Sequence, residues 1–196
     1  MAETLTIVAL GDSLTAGYGL PPEQGYVPQL QGWLQARGQD VVIENAGVSG
    51  DTTAGGLARL DWSLTPDTDA LIVNLGGNDM LRGLDPAAAR ANLDTILAVA
   101  EARGLPVLLV GLKAPNNYGP DYKSDFDAMY PALAQKFQDL LYPDYFALLK
   151  STGNDTQALA RWMQPDGIHP NARGVARIVT DIGPHVIDLL QKARTP

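Results

Sequence analysis

Short apolar runs alternate along the chain with longer stretches in which apolar residues recur at every third or fourth position. Four runs predict buried strands, at residues 5–10, 41–43, 69–75 and 107–110, and a weaker run at 141–142 predicts a short fifth strand. A strand covered on both faces is apolar along its whole length, whereas a half-exposed strand alternates. The runs therefore indicate a sheet that is buried between layers of helix.

Helical spacing of apolar residues fills the intervals between the runs. Pro86 and Gly104 bracket the clearest helix, because proline is favoured at the first helical position and glycine just past the last. We expect the final helix to be interrupted or bent at Gly183-Pro184. The predicted helices cover residues 25–37, a segment that holds Leu57, Leu60 and Trp62, and residues 86–103, 124–140 and 171–192.

Strands that alternate with helices of ten or more residues form a parallel sheet with helices on both faces. The sequence therefore predicts a three-layer α/β/α fold with about five parallel strands. With 196 residues, of which 45% are hydrophobic, the chain can bury one substantial core. We accordingly expect a single domain over residues 1–196.

Composition excludes several classes of partner and of chemistry. The formal net charge of -8 argues against nucleic acid or an anionic membrane as the main partner, since both repel an acidic surface. The absence of cysteine removes disulfides, thiolate nucleophiles and cysteine-bound zinc. No apolar run approaches the roughly 20 residues that a membrane span needs, so we expect no stable membrane insertion. The pattern carries no indication of oligomeric state.

Polar residues follow the first three predicted strands. Loops after parallel strands emerge at the same edge of the sheet, so we expect Ser13, Gly47 and Asn78 to lie near one another. Each has a plain structural explanation when taken alone, because serine caps helices and glycine and asparagine are common in turns. Ser49, in the small polar turn after the second strand, has no acid or base partner that the sequence implies for it.

An acid and a histidine three positions apart, Asp166 and His169, lie in a turn just before the final helix. Gly167 allows that turn to be tight, so the carboxylate can reach Nδ1 and hold the imidazole with Nε2 outward, as a base in a triad requires. An isolated pair of this kind is also found as a turn cap beside a surface histidine. The other histidine, His185, has no acid placed to orient it, and we interpret it as structural or solvent-facing.

Taken together, these residues resemble the GDSL, or SGNH, hydrolases. The resemblance rests on four separated blocks in the family's order: Gly11-Asp12-Ser13-Leu14, the glycine of Asn45-Ala46-Gly47, the G-x-N-D of residues 76–79 and the D-x-x-H of residues 166–169. It spans nearly the whole chain. Further stretches, such as Ser49-Gly50-Asp51-Thr52, are most similar to the bacterial arylesterase and multifunctional acyl-CoA thioesterase/lysophospholipase branch.

The resemblance implies a serine hydrolase on a flavodoxin-like sheet. Ser13 would be the nucleophile, His169 the base and then the acid, and Asp166 the residue that orients the imidazole. The backbone N–H groups of Ser13 and Gly47 and the side-chain amide of Asn78 would hold the oxyanion. The branch is often exported, so we expect a periplasmic or secreted protein whose signal has been removed, and otherwise a cytoplasmic one, because the amino terminus lacks the features of an export signal.

We expect a small-molecule ester or thioester substrate, with short to medium acyl or aryl groups favoured over sugars and with lysophospholipids as a further candidate. No cofactor and no metal ion are expected, because one usable histidine and no cysteine give poor transition-metal ligation. The loop at 113–121 is long enough to be a mobile cover. Candidate groove residues, which could equally pack the loops against the core, are Leu14, Met80, Leu81, Leu84, Pro115, Tyr118 and Ile168.

Three other functions stay open at this point. One is a carbohydrate O-acetylesterase with the same machinery. Another is a noncatalytic small-molecule or anion-binding domain that uses the loops at Gly11 and Gly76, which leaves the oriented histidine unexplained. The third is a two-carboxylate glycosidase, which requires the serine to be idle and draws a pair from Asp12, Asp51, Asp79 and Asp166.

Overall fold

The computed structural model of the protein describes residues 4–150 and 161–195. Its centre is a five-stranded sheet in which every neighbouring pair is parallel. The strand order is β2-β1-β3-β4-β5, which is the order of flavodoxin-like sheets. The strands are β1 (Leu5–Gly11), β2 (Val41–Gly47), β3 (Ala70–Asn74), β4 (Val107–Val110) and β5 (Leu140–Tyr142). The predicted α/β class and the predicted parallel sheet are confirmed.

Two groups of packed helices surround the sheet. α9 packs on α2 and α8, while α6 packs between α3 and α7. Single-turn 3₁₀ helices occur at Pro22–Gln24 and Asn116–Tyr118. The α-helices of the described residues are α1 (Ser13–Ala16), α2 (Tyr26–Gln35), α3 (Thr53–Ala58), α4 (Leu60–Ser63), α5 (Gly77–Leu81), α6 (Pro86–Ala102), α7 (Pro120–Phe137), α8 (Ala147–Lys150) and α9 (Ala172–Ala193).

Local sequence fixes where the longer helices begin. The Asp85 side chain accepts a hydrogen bond from the Ala87 N–H and Pro86 occupies the first position of α6, as predicted. The Asn171 side chain caps α9 by accepting from two N–H groups of its first turn. These caps satisfy donors that the first turn of a helix leaves without partners. They place the start of α9 directly after the turn that carries His169.

The structure corrects the predicted elements at four places. β2 continues to Gly47, past the predicted end at residue 43, because residues 44–47 pair in register with β1. One predicted helix is divided into α3 and α4 at Arg59, whose side chain is bound by Asp51. α7 begins at Pro120 rather than near residue 124, with the proline at its first position. α9 runs through Pro184 as one helix, without the predicted interruption.

The arrangement of strands determines where chemistry can occur. β1 and β3 are the buried centre of the sheet, with Ile7, Leu10 and Val73 inaccessible to solvent. Ligands of open α/β sheets bind at the carboxyl ends of the strands, where the strand order reverses. In this order the reversal lies between β1 and β3, directly at the loops that follow Gly11 and Asn74. Within the described part of the chain no helix is both long and apolar enough to cross a membrane.

Candidate active site

Ser13 lies at the carboxyl end of β1, on the first residue of the single-turn helix α1. Asp12 caps this helix, since its Oδ1 accepts a hydrogen bond from the Leu14 N–H at 2.9 Å. The cap holds the turn in place although four residues are too few for a helix that is stable by itself. Ser13 is therefore presented at the reversal point of the sheet from a fixed backbone.

The turn before α9 brings an acid and a histidine to the same place. Oδ1 of Asp166 accepts hydrogen bonds from the N–H groups of Ile168 at 2.9 Å and of His169 at 3.0 Å. Gly167 adopts a φ of 69°, which a residue with a side chain rarely takes. The turn thus folds back on its own carboxylate and aims the remaining oxygen at the imidazole.

The three groups form a continuous hydrogen-bonded chain. Oδ2 of Asp166 lies 2.7 Å from Nδ1 of His169, and Nε2 of His169 lies 2.8 Å from Oγ of Ser13. An ionised carboxylate only accepts, so we assign the ring proton to Nδ1, which leaves Nε2 to accept from the serine hydroxyl. Residues 156 positions apart in the sequence therefore meet in the order that a nucleophile, a base and an orienting acid require.

Asp166 is held in its ionised form. Desolvation would raise its pKa, but hydrogen bonds from the His169 N–H, the His169 ring and the Ile168 N–H outweigh that effect and lower the pKa to about 2. A charge beside Nδ1 stabilises an imidazolium that forms when Nε2 takes a proton. Asp166 therefore stays ionised beside the imidazole over the whole physiological pH range.

The three expected oxyanion donors lie on segments that contact the serine turn, since Gly47 packs against Ala16 and Asn78 donates to Asp12. Its own N–H belongs to the first turn of α1, where backbone donors have no partner within the helix. The Gly47 N–H donates to Oδ1 of Asn45 at 3.0 Å. Nδ2 of Asn78 donates to the Asp51 carbonyl at 2.9 Å and to Oδ2 of Asp12 at a longer 3.3 Å. A substrate oxygen would replace the exposed Asn45 side chain as the acceptor for the Gly47 N–H. At Asn78 it would replace the longer contact to Asp12.

Two glycines make close approaches beside Ser13. A Cβ on Gly47 would lie 2.3 Å from the Ala16 nitrogen, so only glycine allows β2 to lie so close to α1. A Cβ on Gly77 would lie 3.0 Å from Oδ2 of Asp12. Both glycines belong to blocks that the sequence singled out, and both keep backbone close to the serine turn.

A cavity of about 650 Å³ opens beside Ser13 and His169. Leu14, Met80, Leu81 and Ile168, expected in a groove, line it, and most of its surface is apolar. Its other apolar walls are Leu112, Phe146, Leu149, Met163 and Pro165, and the Lys150 side chain also reaches it. The site thus combines a polar reactive corner with a space suited to hydrocarbon.

The expectation that Pro115, Tyr118 and Leu84 line this cavity does not hold. The Tyr118 hydroxyl donates to the Leu81 carbonyl at 3.1 Å, and its ring packs on Gly83 and Tyr122. The ring therefore supports the outer side of the segment that carries Leu81. Pro115 opens the 3₁₀ turn beside it and is exposed.

Comparison with known proteins agrees with this geometry. A family model described as the GDSL-like lipase/acylhydrolase family matches residues 9–177. The chain belongs to this family. It is 40% identical to esterase TesA of Pseudomonas aeruginosa over 96% of this chain and 91% of the relative. It is 35% identical to thioesterase 1/protease 1/lysophospholipase L1 of Escherichia coli K12, over 97% of this chain and 84% of the relative. Among solved structures, the SGNH-hydrolase family esterase AlinE4 is 43% identical, with a TM-score of 0.77 and coverage of 97% of this chain and 98% of that one.

Sequence reasoning missed several residues of the hydrolase's site. Phe146 and Leu149 follow β5, and Leu112 follows β4, so the rule that placed Ser13 at this edge of the sheet could have found them. Tyr18 lies beside the base, with its ring centroid 4.7 Å from that of His169. No pattern in the sequence signals that contact, because Tyr18 lies in the irregular loop after α1.

Asp12, the acid of the first block, is more buried than the sequence suggests. Its side chain is 2% exposed. Burial raises the pKa of Asp12 to about 6, although hydrogen bonds from the Leu14 N–H and Asn78 and the charge of His169 act against that rise. A carboxyl group next to the nucleophile therefore titrates close to neutrality.

The two other acids considered for a glycosidase pair make contacts within the protein. Asp51 accepts from Arg59 at 2.6 Å, and Asp79 accepts from both the N–H and the hydroxyl of Thr53. Neither is available as one half of a glycosidase pair. No group of three or more His, Asp or Glu residues able to hold a metal ion occurs in the described ranges. His185, on α9, packs edge-on against Tyr142, as a structural histidine would.

Proposed function

We propose that the protein hydrolyses small carboxylic esters, with short to medium acyl or aryl groups, through an acyl-enzyme on Ser13. The observation that carries this proposal is the chain of two contacts from Asp166 through His169 to Ser13, at 2.7 and 2.8 Å. It lies at the edge of an apolar cavity. Membership of an esterase and thioesterase family supports the same reaction class.

In the first step the Ser13 oxygen attacks the carbonyl carbon of the ester. Its proton passes to Nε2 of His169, which is already in contact with the hydroxyl. The carbonyl oxygen becomes an anion, and the N–H groups of Ser13 and Gly47 and the Asn78 amide donate to it. Preformed donors of this kind commonly supply the largest electrostatic part of the acceleration.

In the second step the tetrahedral intermediate collapses. The imidazolium of His169 returns its proton to the leaving oxygen or sulfur, and the acyl group stays on Ser13. A water molecule then loses a proton to Nε2 and attacks the acyl carbon. The bond between this carbon and the serine oxygen breaks, the imidazolium returns the proton to that oxygen, and the acid is released. Asp166 keeps the ring oriented throughout and stays ionised.

The cavity favours a hydrocarbon acyl group. Its lining is dominated by leucine, methionine, isoleucine and phenylalanine side chains, whose burial of substrate methylene groups is favourable. Relatives named thioesterase and lysophospholipase extend the candidate substrates to acyl thioesters and lysophospholipids. Neither observation favours an acetylated sugar, whose hydroxyl groups would meet few polar partners there.

Labelling with a fluorophosphonate, followed by peptide mass spectrometry, tests the proposal. We expect one adduct, on Ser13, together with loss of activity on p-nitrophenyl esters. Ser13→Ala should lower kcat by several orders of magnitude, on the order of 10⁶ as for other serine nucleophiles, while the protein stays folded.

Ser49→Ala is the matched control, because Ser49 is an exposed serine in the neighbouring loop. It should keep both labelling and turnover. Unchanged turnover in Ser13→Ala, or labelling of another serine, contradicts the proposal. A folded protein that takes no label at all would instead support a noncatalytic anion-binding domain.

A further inference from the structure

Three arginines surround one tryptophan just outside the active-site turn. The guanidinium carbons of Arg161, Arg173 and Arg177 lie 5.8, 5.4 and 4.7 Å from the centre of the Trp162 ring. Trp162 is 8% exposed. We call these four residues the Arg–Trp cluster. It concentrates positive charge on a protein whose net charge is -8.

Within residues 4–150 and 161–195 these three guanidinium groups have no carboxylate partner. The next acid along α9, Asp181, is instead bound by the Tyr142 hydroxyl. Trp33 instead has a single arginine partner of this kind, with the guanidinium carbon of Arg37 lying 3.6 Å from the centre of its ring. One arginine suffices for such a pair, so cation–π contact alone does not account for three positive charges around one ring.

The cluster also holds a donor without an acceptor. Nε of Arg177 is buried and has no hydrogen-bond partner among the described residues. Arg161 and Arg173 are exposed, which leaves their outer N–H groups available to a ligand. Arginine presents several N–H groups in a planar fork, and that fork matches the oxygens of a phosphate.

The cluster lies close to the catalytic turn. The Asn171 N–H donates to the Trp162 carbonyl at 2.8 Å. Two residues further along the same antiparallel pair, the Gln164 N–H donates to the His169 carbonyl at 2.8 Å. Diagonal neighbours across an antiparallel pair lie about 7–8 Å apart, so the Trp162 backbone lies about that far from the His169 backbone. The cluster is therefore joined to the catalytic turn through one short antiparallel pair.

We infer that Arg161, Arg173 and Arg177, held around Trp162, form a binding site for a phosphoryl group. The site is separate from the oxyanion donors and does not depend on the proposed esterase activity. Two sources can supply this chemistry: free phosphate, and a phosphate carried on the leaving group of an acyl substrate. The tests below separate the two.

The first test measures binding without catalysis. Uniformly ¹⁵N-labelled protein is titrated with sodium phosphate at pH 7, with sodium chloride added to hold the ionic strength constant. We expect saturable shifts at the amides of residues 161–163 and 173–177. Arg173→Gln and Arg177→Gln should each raise the Kd at least fivefold, because each removes one charged fork.

Arg37→Gln is the matched control, because it removes the same charge beside another tryptophan. Its Kd for phosphate should equal that of the wild type. Ser13→Ala should also bind phosphate unchanged. Shifts that fail to saturate, or a Kd that is the same in all variants, overturn the site. Arg173 is exposed on the first turn of α9, so its variant keeps the test valid if Arg177→Gln does not fold.

The second test identifies the source and, unlike the first, rests on the proposed function. Rates are compared for a lysophosphatidylcholine and a monoacylglycerol with the same acyl chain. If the substrate supplies the phosphate, Arg173→Gln raises KM at least fivefold for the phospholipid only. If KM is unchanged for both while phosphate binding is weakened, the site takes free phosphate. Inactivity of the wild type on both esters would contradict the esterase proposal and leave the titration result standing.

Discussion

Asp166 uses its two oxygens for two different purposes. Oδ1 accepts from the backbone N–H groups that close the turn, whereas Oδ2 accepts from the His169 ring. The backbone contacts hold the turn, and the ring contact sets which nitrogen of the imidazole carries the proton. A substitution that preserves one oxygen can therefore separate the structural role from the proposed catalytic one.

Asp166→Asn makes that separation. The asparagine oxygen can keep both backbone hydrogen bonds, but its NH₂ group then faces Nδ1 and favours the wrong imidazole tautomer. We expect kcat on a p-nitrophenyl ester to fall by about 10⁴, the scale seen when the acid of such a triad becomes an amide, and the Tm to change by only a few degrees. Steady-state kinetics and thermal unfolding of the same preparation measure both quantities.

Asp166→Ala is the comparison variant, because it loses both oxygens and should lower the Tm further at a similar kcat. Equal kcat in wild type and Asp166→Asn would show that the ring contact has no part in turnover.

Asp12 gives the stability of the protein a specific pH dependence. Burial raises its pKa from 3.8 to about 6, so between these values the folded protein holds a proton that the unfolded chain has released. This group therefore makes the free energy of unfolding fall as the pH rises through that window. A shift of roughly two pKa units corresponds to about 3 kcal/mol.

Asp12→Asn removes the titration and keeps an oxygen for the α1 cap. Between pH 4 and pH 7 the free energy of unfolding of the variant should rise relative to that of the wild type by about 2 kcal/mol, because part of the full change lies below pH 4. Urea unfolding at pH 4, 5, 6 and 7 measures this difference, and equal m-values confirm that both proteins unfold to the same extent. A difference that stays constant with pH contradicts a buried, titrating Asp12.

At the scale of elements, the position of Ser13 depends on the contact between α1 and β2. A Cβ on Gly47 would lie 2.3 Å from the nitrogen and 2.8 Å from the Cα of Ala16, and these backbone atoms cannot rotate away. Gly47→Ala should therefore displace α1. We expect a loss of about 1–3 kcal/mol in the free energy of unfolding and a fall in kcat approaching 10²-fold, because the nucleophile moves while the Gly47 N–H is retained.

Gly32→Ala is the matched control for Gly47→Ala. Gly32 lies in α2 with nothing within 4 Å of its added Cβ, so the substitution should raise stability by about 1 kcal/mol and leave kcat unchanged. Urea unfolding and ester hydrolysis report both effects. A wild-type kcat in Gly47→Ala would show that the α1–β2 contact is not what positions the serine.

The elements that sequence predicts well are those with strong and repeated signals. β3 and β4 are buried throughout and β1 at every residue except Thr6, so their apolar runs mark them clearly. β2 is an edge strand whose last residues, such as Glu44 and Asn45, are exposed, and its polar end therefore looked like a turn. The early start of α7 at Pro120 was missed because its first residues have the composition of a loop.

At the scale of the whole molecule, one general rule predicts that Ser13, Gly47 and Asn78 lie near one another, because loops after parallel strands share one edge of the sheet. That rule does not place His169, whose meeting with Ser13 is implied by the family resemblance. Nor does it say which side chains of the loops face the cavity. Whether Met80 or Tyr118 faces the cavity depends on side-chain direction, which periodicity does not determine in short or irregular segments.

The cavity draws its walls from segments that follow β1, β3, β4 and β5, so its length is a property of the complete fold. If it receives the acyl chain, each additional methylene group buried there contributes about 0.8 kcal/mol, or close to fourfold in kcat/KM. We expect kcat/KM for p-nitrophenyl esters to rise by about this factor per methylene from acetate upward, and to level off once the cavity is full. Met80→Ser should flatten the rise and leave the acetate ester nearly unaffected, because the acetyl group is too short to gain much from that wall.

Leu84→Ser separates this effect from a general change in the loop. Leu84 follows the same short helix as Met80 and is exposed, but it does not line the cavity. Its variant should therefore reproduce the wild-type chain-length series. A series that is flat in the wild type would place the acyl group outside the cavity, and an equal loss in both variants would trace the effect to the loop rather than to an apolar wall. Only a selective loss in Met80→Ser, growing with each added methylene, fits a hydrocarbon chain lying along this surface.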